Sequence, residues 1–507
     1  MKSTKKLTDA LARVGKSAKI NNGNIIRSQQ ILRADREFLV RTKWLQEVIK
    51  GWYLLVKPDT ALGDSVSWYA NFWDFLRIYL EHHFGENYCL SAEDSLDLHA
   101  GSLIIPKQVV VISSRGGGAP QGLPFDTSVF IYADPDNLPE EKVRFQGLQI
   151  MPLPYALCKV SATYFQKYPK DAEIALRLVR ASSELSKVIV KYHFKSAAAR
   201  LLGAYAFLGD RTMVEALNDD LLMQGWKIKE ENPFLLSAPT LPGIKIQSPY
   251  VARIYSLWSD FREKVISCFP TAPGLPKNPQ GYMDHIKELY EKDAYNSLSI
   301  EGFQVDDDLI EKVQNHHWNP DLHLEDRNEK NALAARGYYE AFCEVKKSLL
   351  QLCNGSNPGE VVEKDLKRWY QSLFVPSVRA GILRQEDLLG YRRGQVYIRN
   401  SRHIPLPKEA LIDAMEALFS CLGKEPHAAV RAVLGHYIFV FIHPYMDGNG
   451  RIGRFLMNAM FASGGYRWTI VHMKHRKAYL EALEAASAEE NIEPFARFIA
   501  DEMKDET

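Results

Sequence analysis

The second half of the chain carries the clearest helical spacing of apolar residues. Apolar side chains between Leu411 and Leu422 follow three- and four-residue steps, which place them on one face of a helix. His427–Ile442 is apolar on every side, so we predict a buried central helix there, and a further helix over Arg451–Ala462. Gln395–Ile398 is β-like and bounded by turn residues, which indicates a small β-hairpin. This half is therefore predicted to be an all-α domain with one hairpin.

The first half mixes helical and strand patterns. Four prolines at every third position between Phe269 and Gly281 indicate an extended linker after it. Upstream we predict helices over Ser3–Val14, Ser28–Val40, Thr42–Lys50, Lys191–Gly209 and Thr212–Gly225, and strands over Gly51–Val56, Val109–Ser113 and Val129–Tyr132. Helices followed by a β-ribbon are typical of a winged helix-turn-helix. We therefore expect a winged helix at residues 1–60, a mixed α/β domain at 61–245, a helix and proline-rich linker at 246–281, and the helical domain at 282–507.

Composition places the chain among globular proteins. Of its 507 residues, 46% are hydrophobic and 25% charged, which excludes a disordered, collagen-like or disulfide-stabilised chain. The six cysteines are scattered without a metal-binding spacing, so we expect reduced thiols. The N-terminal residues lack a signal-peptide core, and the most apolar run, residues 428–442, is too short to span a membrane. We therefore expect a cytoplasmic protein without a membrane partner.

The net charge of +1 conceals an uneven distribution. Residues 1–57 contain thirteen Lys and Arg but four Asp and Glu, a charge of +9, which leaves −8 on the other 450 residues. A basic helix-and-ribbon segment is typical of proteins attracted to a phosphate backbone. We therefore expect residues 1–60 to bind DNA, and the alternative is a solvated basic surface.

The segment His443–Arg454, with the sequence His-Pro-Tyr-Met-Asp-Gly-Asn-Gly-Arg-Ile-Gly-Arg, is called the signature segment below. It joins the predicted central helix to the next one. Gly448 and Gly450 permit a backbone nest for an anion at a helix N-terminus. Arg451 and Arg454 stand three residues apart on one helix face, where two guanidinium groups suit a polyphosphate. The segment therefore predicts a phosphate-binding site.

Two further side chains of the signature segment bring reactive chemistry. Asp447 is its only acid, and beside phosphates such a carboxylate holds Mg²⁺. His443 ends the central helix and can act as a general base near neutral pH. A base, a metal ligand, an anion nest and two guanidinium groups serve phosphoryl or nucleotidyl transfer, and the residue pattern leaves both open.

The signature segment resembles the motif of Fic-domain proteins, His-Pro-Phe-x-(Asp/Glu)-Gly-Asn-Gly-Arg-x-x-Arg, with Tyr445 in place of Phe. The resemblance extends over roughly residues 283–502. Upstream, Gly390-Tyr391-Arg392 with Gln395–Ile398 resembles the flap of the family, a hairpin that holds a target protein as an added strand. The resemblance implies an all-α Fic domain with this flap.

The same resemblance implies residue roles. His443 would take the proton of a Ser, Thr or Tyr hydroxyl of a target protein, which would attack the α-phosphate of ATP, accept AMP and release pyrophosphate. Asp447 would bind Mg²⁺. The nucleotide would be bound by Gly448, Asn449, Gly450, Arg451, Gly453, Arg454 and Tyr479. Relatives that transfer phosphate have Lys where Gly450 stands, so Gly450 favours nucleotidyl transfer. The base of the nucleotide stays open, with ATP the usual donor.

A second motif lies upstream of the signature segment. Ser297–Gly302, Ser-Leu-Ser-Ile-Glu-Gly, resembles the inhibitory motif (Ser/Thr)-x-x-x-Glu-(Gly/Asn) of the family. The resemblance implies that Glu301 pairs with Arg454 and blocks the γ-phosphate site, with Ser297 and Gly302 in the same inhibitory element. The enzyme would then be autoinhibited from within its own chain. Self-modification and homo-oligomerisation stay open.

The first half resembles type IV antitoxins of the AbiEi kind at Leu39–Val56, Ser95–His99 and Ala198–Trp226. These proteins combine a winged helix with a mixed α/β domain and can repress transcription. The resemblance supports a second hypothesis for the whole chain. In that hypothesis the protein is a DNA-binding regulator or antitoxin-like protein whose Fic domain senses a nucleotide or removes AMP.

Overall fold

The computed structural model describes residues 2–20, 23–58, 64–236, 238–241, 246, 248–314 and 330–505, without the side chains of residues 2–4, 17–20 and 505. The chain divides into two compact units. The first unit consists of Met1–Pro249 and Tyr397–Ile404, and the second of Tyr250–Val396 and Pro405–Thr507. Tyr397–Ile404 is thus part of the first unit, although its chain neighbours on both sides belong to the second.

The first unit begins with helices packed on a small antiparallel sheet of order β1-β3-β2. Its elements are α1 (Lys2–Ile20), β1 (Ile25–Arg27), α2 (Arg33–Arg41), β2 (Leu45–Ile49) and β3 (Trp52–Leu55). The predicted strand at Gly51–Val56 is confirmed, but the predicted helix at Thr42–Lys50 is wrong. Gly51 has a φ of 85°, which lets the chain turn back tightly, and Leu45 and Val48 are buried residues of β2, the strand that pairs with β3.

The rest of the first unit is mixed α/β. The strands are β4 (Tyr88–Leu90), β5 (Gln108–Ser113), β6 (Pro120–Leu123), β7 (Thr127–Ala133), β8 (Val143–Phe145) and β9 (Leu148–Ile150). The helices are α3 (Val66–Tyr69), α4 (Phe72–Phe84), α5 (Ala92–His99), α6 (Leu153–Lys159), α7 (Ala162–Lys167), α8 (Pro169–Leu178), α9 (Ser182–Lys191), α10 (Lys195–Phe207) and α11 (Arg211–Met223). The four-stranded sheet has the order β4-β5-β7-β6, in which β5 and β7 are parallel. The strands predicted within β5 and β7 and the helical pair α10 and α11 are confirmed.

In the described residues of the second unit, every regular element is a helix. Its helices are α12 (Pro249–Cys268), α13 (Pro279–Ile300), α14 (Asp307–Gln314), α15 (Lys330–Cys353), α16 (Pro358–Arg379), α17 (Leu411–Lys424), α18 (Ala428–Ile442), α19 (Asn449–Ala462), α20 (Arg476–Ala488) and α21 (Glu493–Asp505). α18 is buried on all sides, as its all-round apolar sequence predicts. None of the helices in the described ranges combines the length and apolarity needed to cross a bilayer.

The proline-rich stretch Phe269–Gly281 connects α12 and α13 inside the second unit. It is tied to the end of α19: the Gly274 N–H donates to the Gly464 carbonyl at 3.0 Å. The Tyr466 hydroxyl donates to the Pro270 carbonyl at 2.6 Å. The stretch is therefore a fixed connection between two helices of one unit.

The predicted hairpin at Gln395–Ile398 forms its turn but no β-ladder of its own. Asn400 has a φ of 58°, and the Ser401 N–H donates to the Ile398 carbonyl at 3.3 Å. Beyond the turn, the backbone pairs instead with Leu103–Ile105 of the first unit, where Ile104 and His403 form an antiparallel bridge. The residues that would form the second strand of the hairpin, Arg402–Ile404, are thus bonded to Leu103–Ile105.

Candidate active site

His443 lies at the C-terminal end of α18 in a left-handed backbone conformation, with φ 55° and ψ 60°. This conformation ends the helix and directs the chain into the signature segment. Nδ1 of the ring lies 3.2 Å from the Val440 carbonyl. As donor to that carbonyl, Nδ1 carries the proton and Nε2 is left with its lone pair.

Burial lowers the pKa of His443 to about 4, although the Val440 carbonyl acts in the opposite direction. A histidine with a lowered pKa is neutral at every pH well above that value. The ring is therefore unprotonated throughout the physiological range, and the lone pair of Nε2 is available.

The loop of the signature segment is held by the side chain of Asn449. Its Oδ1 accepts from the Tyr445 N–H at 3.0 Å, and its Nδ2 donates to the Tyr445 carbonyl at 2.8 Å. The Tyr445 ring stacks on Tyr370 with centroids 3.6 Å apart. Both polar atoms of the Asn449 side chain are bonded to Tyr445 within the loop. Any contact between Asn449 and a nucleotide would therefore be made by the Asn449 backbone. Gly448, with φ 84°, provides the sharp entry into α19.

Arg451 is buried at the start of α19 between two aromatic rings. Its guanidinium lies 5.1 Å from the centroid of Phe303 and 5.3 Å from that of Phe374. Among the described residues, its Nε and Nη2 have no hydrogen-bond acceptor, although Nη2 lies 3.3 Å from Asp447 Oδ1. A buried guanidinium with unused donors is costly unless an anion satisfies them. The geometry therefore suits a phosphate.

Arg454, one turn further along α19, is held by Ser297 and Glu301 of the α13 segment. Its Nη2 donates to Glu301 Oε1 at 2.7 Å and to the Ser297 carbonyl at 2.9 Å, and its Nε donates to Ser297 Oγ at 2.9 Å. Glu301 is the C-cap of α13, and Gly302 follows with a φ of 88°, which ends the helix. The structure thus brings together residues that lie more than 150 positions apart in the sequence.

The Glu301–Arg454 pair is charged on both sides. Burial opposes the charge of Glu301, but Arg454 and Arg451 hold the pKa of Glu301 below its usual value. Burial likewise opposes the charge of Arg454, yet Glu301 holds the pKa of Arg454 above its usual value. A Cβ at Gly450 would collide with Glu301 Oε1, so the carboxylate rests against the glycine of the predicted anion nest.

Asp447 is the residue best placed to hold a cation. Its side chain is 69% exposed, and Oδ1 accepts from the Gly448 N–H at 2.6 Å. An exposed carboxylate next to a phosphate-binding arginine fits Mg²⁺, which takes one or two carboxylates together with substrate oxygens. A cavity of about 390 Å³ opens beside it, lined among others by Tyr370, Tyr391 and Met446.

Two sequence-predicted nucleotide residues, Tyr479 and Gly453, lie buried beside His436, and Tyr479 also interacts with Arg454. Tyr479 is 2% exposed, and its hydroxyl lies 2.8 Å from Nε2 of the buried His436, so its ring is part of the core. A Cβ at Gly453 would lie 2.8 Å from His436 Nδ1, which shows that Gly453 allows α19 to approach α18 closely. Both residues support the site from beneath.

Arg392 is a residue whose role the sequence did not indicate. Its Nε donates to the His443 carbonyl at 2.8 Å, and its own N–H donates to the Pro444 carbonyl at 2.9 Å. The same guanidinium donates to the carbonyl of Gly394, within the predicted flap, and to that of Leu406, beyond it. Arg392 therefore links the backbone at Gly394 and Leu406 to the backbone of His443. Carbonyl partners leave no sequence pattern, so only its place in Gly390-Tyr391-Arg392 drew attention to it.

A comparison with protein families shows which family this region is similar to. Residues 360–461, which include α17, α18 and most of the signature segment's helix, match the Fic/DOC family. The chain contains a Fic domain. The match includes the site residues His443, Asn449, Arg451 and Arg454.

Curated relatives match the region around the Fic domain. Protein adenylyltransferase Fic of Nematostella vectensis is 32% identical over 220 residues, which are 42% of this chain and 47% of the relative. Protein adenylyltransferase Fic of Aedes aegypti is 39% identical over 115 residues, 22% of each chain. This chain thus spans half or less of the length of these relatives.

Solved structures of Fic proteins are also similar to this chain. Fic-1 (residues 134–508) of C. elegans aligns with a TM-score of 0.36 and 15% identity, over 67% of this chain and 93% of that one. A Fic-domain-containing signalling protein of Bacteroides thetaiotaomicron aligns with a TM-score of 0.32 and 17% identity, over 50% of this chain and 92% of that one.

Proposed function

We propose that this protein transfers AMP from ATP to a hydroxyl side chain of a target protein, and that its own α13 inhibits the reaction. The observation that carries the proposal is that the buried Arg451 and Arg454 lie in the first turns of α19, with Asp447 just before this helix. His443, whose ring is neutral, precedes them at the end of α18. The names of the curated relatives, protein adenylyltransferase Fic, support the same activity.

In this mechanism the neutral Nε2 of His443 accepts the proton of the acceptor hydroxyl as its oxygen attacks the α-phosphate. The bond between the α-phosphorus and the bridging oxygen breaks, and pyrophosphate leaves. The donors of Arg451 and the N-terminus of α19 stabilise the negative charge of the phosphates. Most of the rate enhancement then comes from positioning and charge stabilisation.

Asp447 is the residue that would hold Mg²⁺. When bound, the ion neutralises phosphate charge and orients the leaving group. Asp447 lies one residue before Gly448, so its carboxylate and the anion nest belong to the same turn. Arg392 meanwhile holds the His443 carbonyl, which keeps the ring of the base in place.

Glu301 is proposed as the brake. To bind Arg454, a γ-phosphate must displace the Glu301 carboxylate, which already accepts a charge-assisted hydrogen bond from Arg454. A nucleotide excluded from Arg454 would place its α-phosphate out of line with the hydroxyl. Self-modification remains part of this proposal, because the chain is itself a source of hydroxyl side chains.

Labelling with two forms of ATP tests the reaction type. With the Glu301→Gly chain, we expect protein label from α-³²P ATP and none from γ-³²P ATP, because AMP carries only the α-phosphate. Label from γ-³²P ATP alone would show phosphotransfer instead. Absence of label from both would reject the transferase and favour the regulator whose Fic domain senses a nucleotide.

For the first unit we propose a nucleic-acid-binding role at residues 1–58. Exposed basic side chains lie on the helix α2 (Arg33 and Arg41) and in the turns next to β2 (Lys43 and Lys50). We expect weak binding to random-sequence duplex DNA that falls steeply as salt rises from 50 to 200 mM, because phosphate contacts release counterions. An electrophoretic mobility series with Arg41→Glu/Lys43→Glu as the weakened variant measures this. Equal binding by both proteins, or none at low salt, would reject the role.

A further inference from the structure

Two histidines and a glutamate of the second unit lie together outside the signature segment. His472 caps the 3₁₀ turn Met473–His475, which leads into α20, and His475 is the last residue of that turn. Because side chains three residues apart eclipse each other in a 3₁₀ turn, both imidazoles lie on one side of it. Glu502, on α21, faces both rings. These three side chains are called the histidine–glutamate cluster below.

Both imidazoles of the histidine–glutamate cluster present Nδ1 to the carboxylate. Nδ1 of His472 lies 2.7 Å from Glu502 Oε2, and Nδ1 of His475 is hydrogen-bonded to Oε1. The His472 N–H donates to Oε2 at 2.9 Å, which fixes the orientation of the carboxylate. The donor atoms of the three side chains therefore converge, and all of them lie within 4.8 Å of one another.

The carboxylate of Glu502 is buried, with a side chain that is only 3% exposed. Within the described residues, its ion pairs are with these two histidines and with neither Lys nor Arg. Buried charges in proteins are paired or coordinate a metal ion. Two imidazoles can satisfy this carboxylate by carrying protons, or, when unprotonated, by sharing a metal ion with it.

The donor set selects the kind of ion. Two imidazole nitrogens and one carboxylate oxygen suit Zn²⁺, whereas Mg²⁺ and Ca²⁺ take oxygen ligands. Such a site binds Zn²⁺ more tightly than Mn²⁺ or Fe²⁺. Neighbouring donor atoms around tetrahedral Zn²⁺ lie about 3.4 Å apart, so small side-chain rotations would admit the ion. The side chain of His475 is 37% exposed, which gives water access to the fourth position.

The turn that carries the two histidines also holds the end of α13. The Met473 N–H donates to Asn296 Oδ1 at 2.8 Å, and Arg476 Nε donates to the Ile300 carbonyl at 2.7 Å. Ile300 is the last residue of α13 and directly precedes Glu301. An ion shared by this turn and α21 would therefore fix the element to which the end of α13 is bonded.

We propose that His472, His475 and Glu502 bind one Zn²⁺ ion, with water as the fourth ligand. The ion takes the place of the protons between the imidazoles and the carboxylate, which pass to solvent. It joins the turn Met473–His475 to α21 and so stabilises the bonds from this turn to α13. The proposal does not depend on AMP transfer, because metal binding is measured without ATP.

Calorimetric titration of the full chain with Zn²⁺, after dialysis against a chelator, tests the site. His475→Ala and Glu502→Gln should each weaken Zn²⁺ binding at least roughly 100-fold, because even residues that only orient metal ligands contribute 10- to 100-fold. An excess of Mg²⁺ should not displace the Zn²⁺. Absence of Zn²⁺ binding by the wild-type chain, or equal binding by the wild-type and Glu502→Gln chains, would overturn the proposal.

A second histidine–glutamate pair provides the matched control. His285 Nδ1 lies 3.6 Å from Glu288 Oε2, but both side chains are exposed, so His285→Ala should leave Zn²⁺ affinity unchanged. His475 lies partly at the surface, so we expect the His475→Ala chain to keep its circular dichroism spectrum. An unchanged spectrum together with lost Zn²⁺ binding separates loss of a ligand from loss of the fold.

Hydrogen exchange tests the link to α13. Zn²⁺ should slow exchange of the Met473 amide, the donor to Asn296, several-fold in the wild-type chain and not in the His475→Ala chain. Zn²⁺ binding that leaves this exchange rate unchanged would overturn the link to α13. Both measurements are made without ATP, so their failure is distinct from failure of the proposed AMP transfer.

Discussion

Replacing Glu301 with glycine is expected to raise protein labelling from α-³²P ATP by roughly 10- to 100-fold. A hydrogen bond between charged groups contributes about 1.5–3 kcal/mol, and each 1.4 kcal/mol is a factor of ten. The change releases Arg454 Nη2 for the γ-phosphate, while the bonds from Arg454 to Ser297 persist. Because Glu301 is the C-cap of α13, glycine at this position costs the helix little. Initial labelling rates at saturating ATP measure the effect.

Two glutamine variants test whether that increase depends on the charge of Glu301, and the second of them is the matched control. Glu301→Gln keeps the size of the side chain but removes its charge, so it should also raise labelling, though less than glycine does. Glu291→Gln changes an exposed residue of the same helix and should leave labelling unchanged. Equal labelling by the wild-type and Glu301→Gly chains would contradict the brake.

Replacing His443 in the Glu301→Gly chain is expected to reduce labelling by roughly 10²- to 10⁴-fold, the contribution of a positioned general base. His443→Asn is the preferred variant, because asparagine tolerates the left-handed backbone that His443 adopts, with φ 55°. Alanine at this position should give the same loss of labelling. Single-turnover labelling measures the chemical step directly.

Nucleotide binding separates loss of the base from loss of the fold. The His443→Asn chain should bind ATP with unchanged affinity by calorimetry, because Arg451 and Arg454 are intact. His285→Ala alters an exposed histidine, 57% exposed, and should retain full labelling. Undiminished labelling by the His443→Asn chain would show that another group accepts the proton.

Local sequence patterns were sufficient for much of the second unit. The helices α17, α18 and α19 follow from apolar spacing, and Gly464-Gly465 follows the end of α19 as expected, whereas Gly423, expected to stop α17, lies within it. The order of groups in the signature segment also follows from the sequence, because its residues act within one loop and one helix turn. A local pattern was insufficient at Thr42–Lys50, where pairing with β3 overrides the helical spacing and forms β2.

The functional site shows a similar division. The role expected for Tyr479 came from the family resemblance alone, and only the structure places its hydroxyl against His436 and Arg454. The importance of Arg392 depended on four carbonyl groups, which every residue has and no side-chain pattern reveals. Burial and backbone hydrogen bonds are properties of packing, so they appear only when the helices come together.

The sequence by itself determined which chemical groups this protein carries: a histidine, an acid, an anion nest, two arginines and an upstream glutamate. Their order and spacing are covalent, and helix periodicity fixes how near neighbours face each other. Only the tertiary structure decided that Glu301 and Ser297 meet Arg454, that burial keeps His443 neutral, and that Tyr397–Ile404 pairs with Leu103–Ile105. These contacts join residues far apart in the chain, so they depend on how the whole core packs.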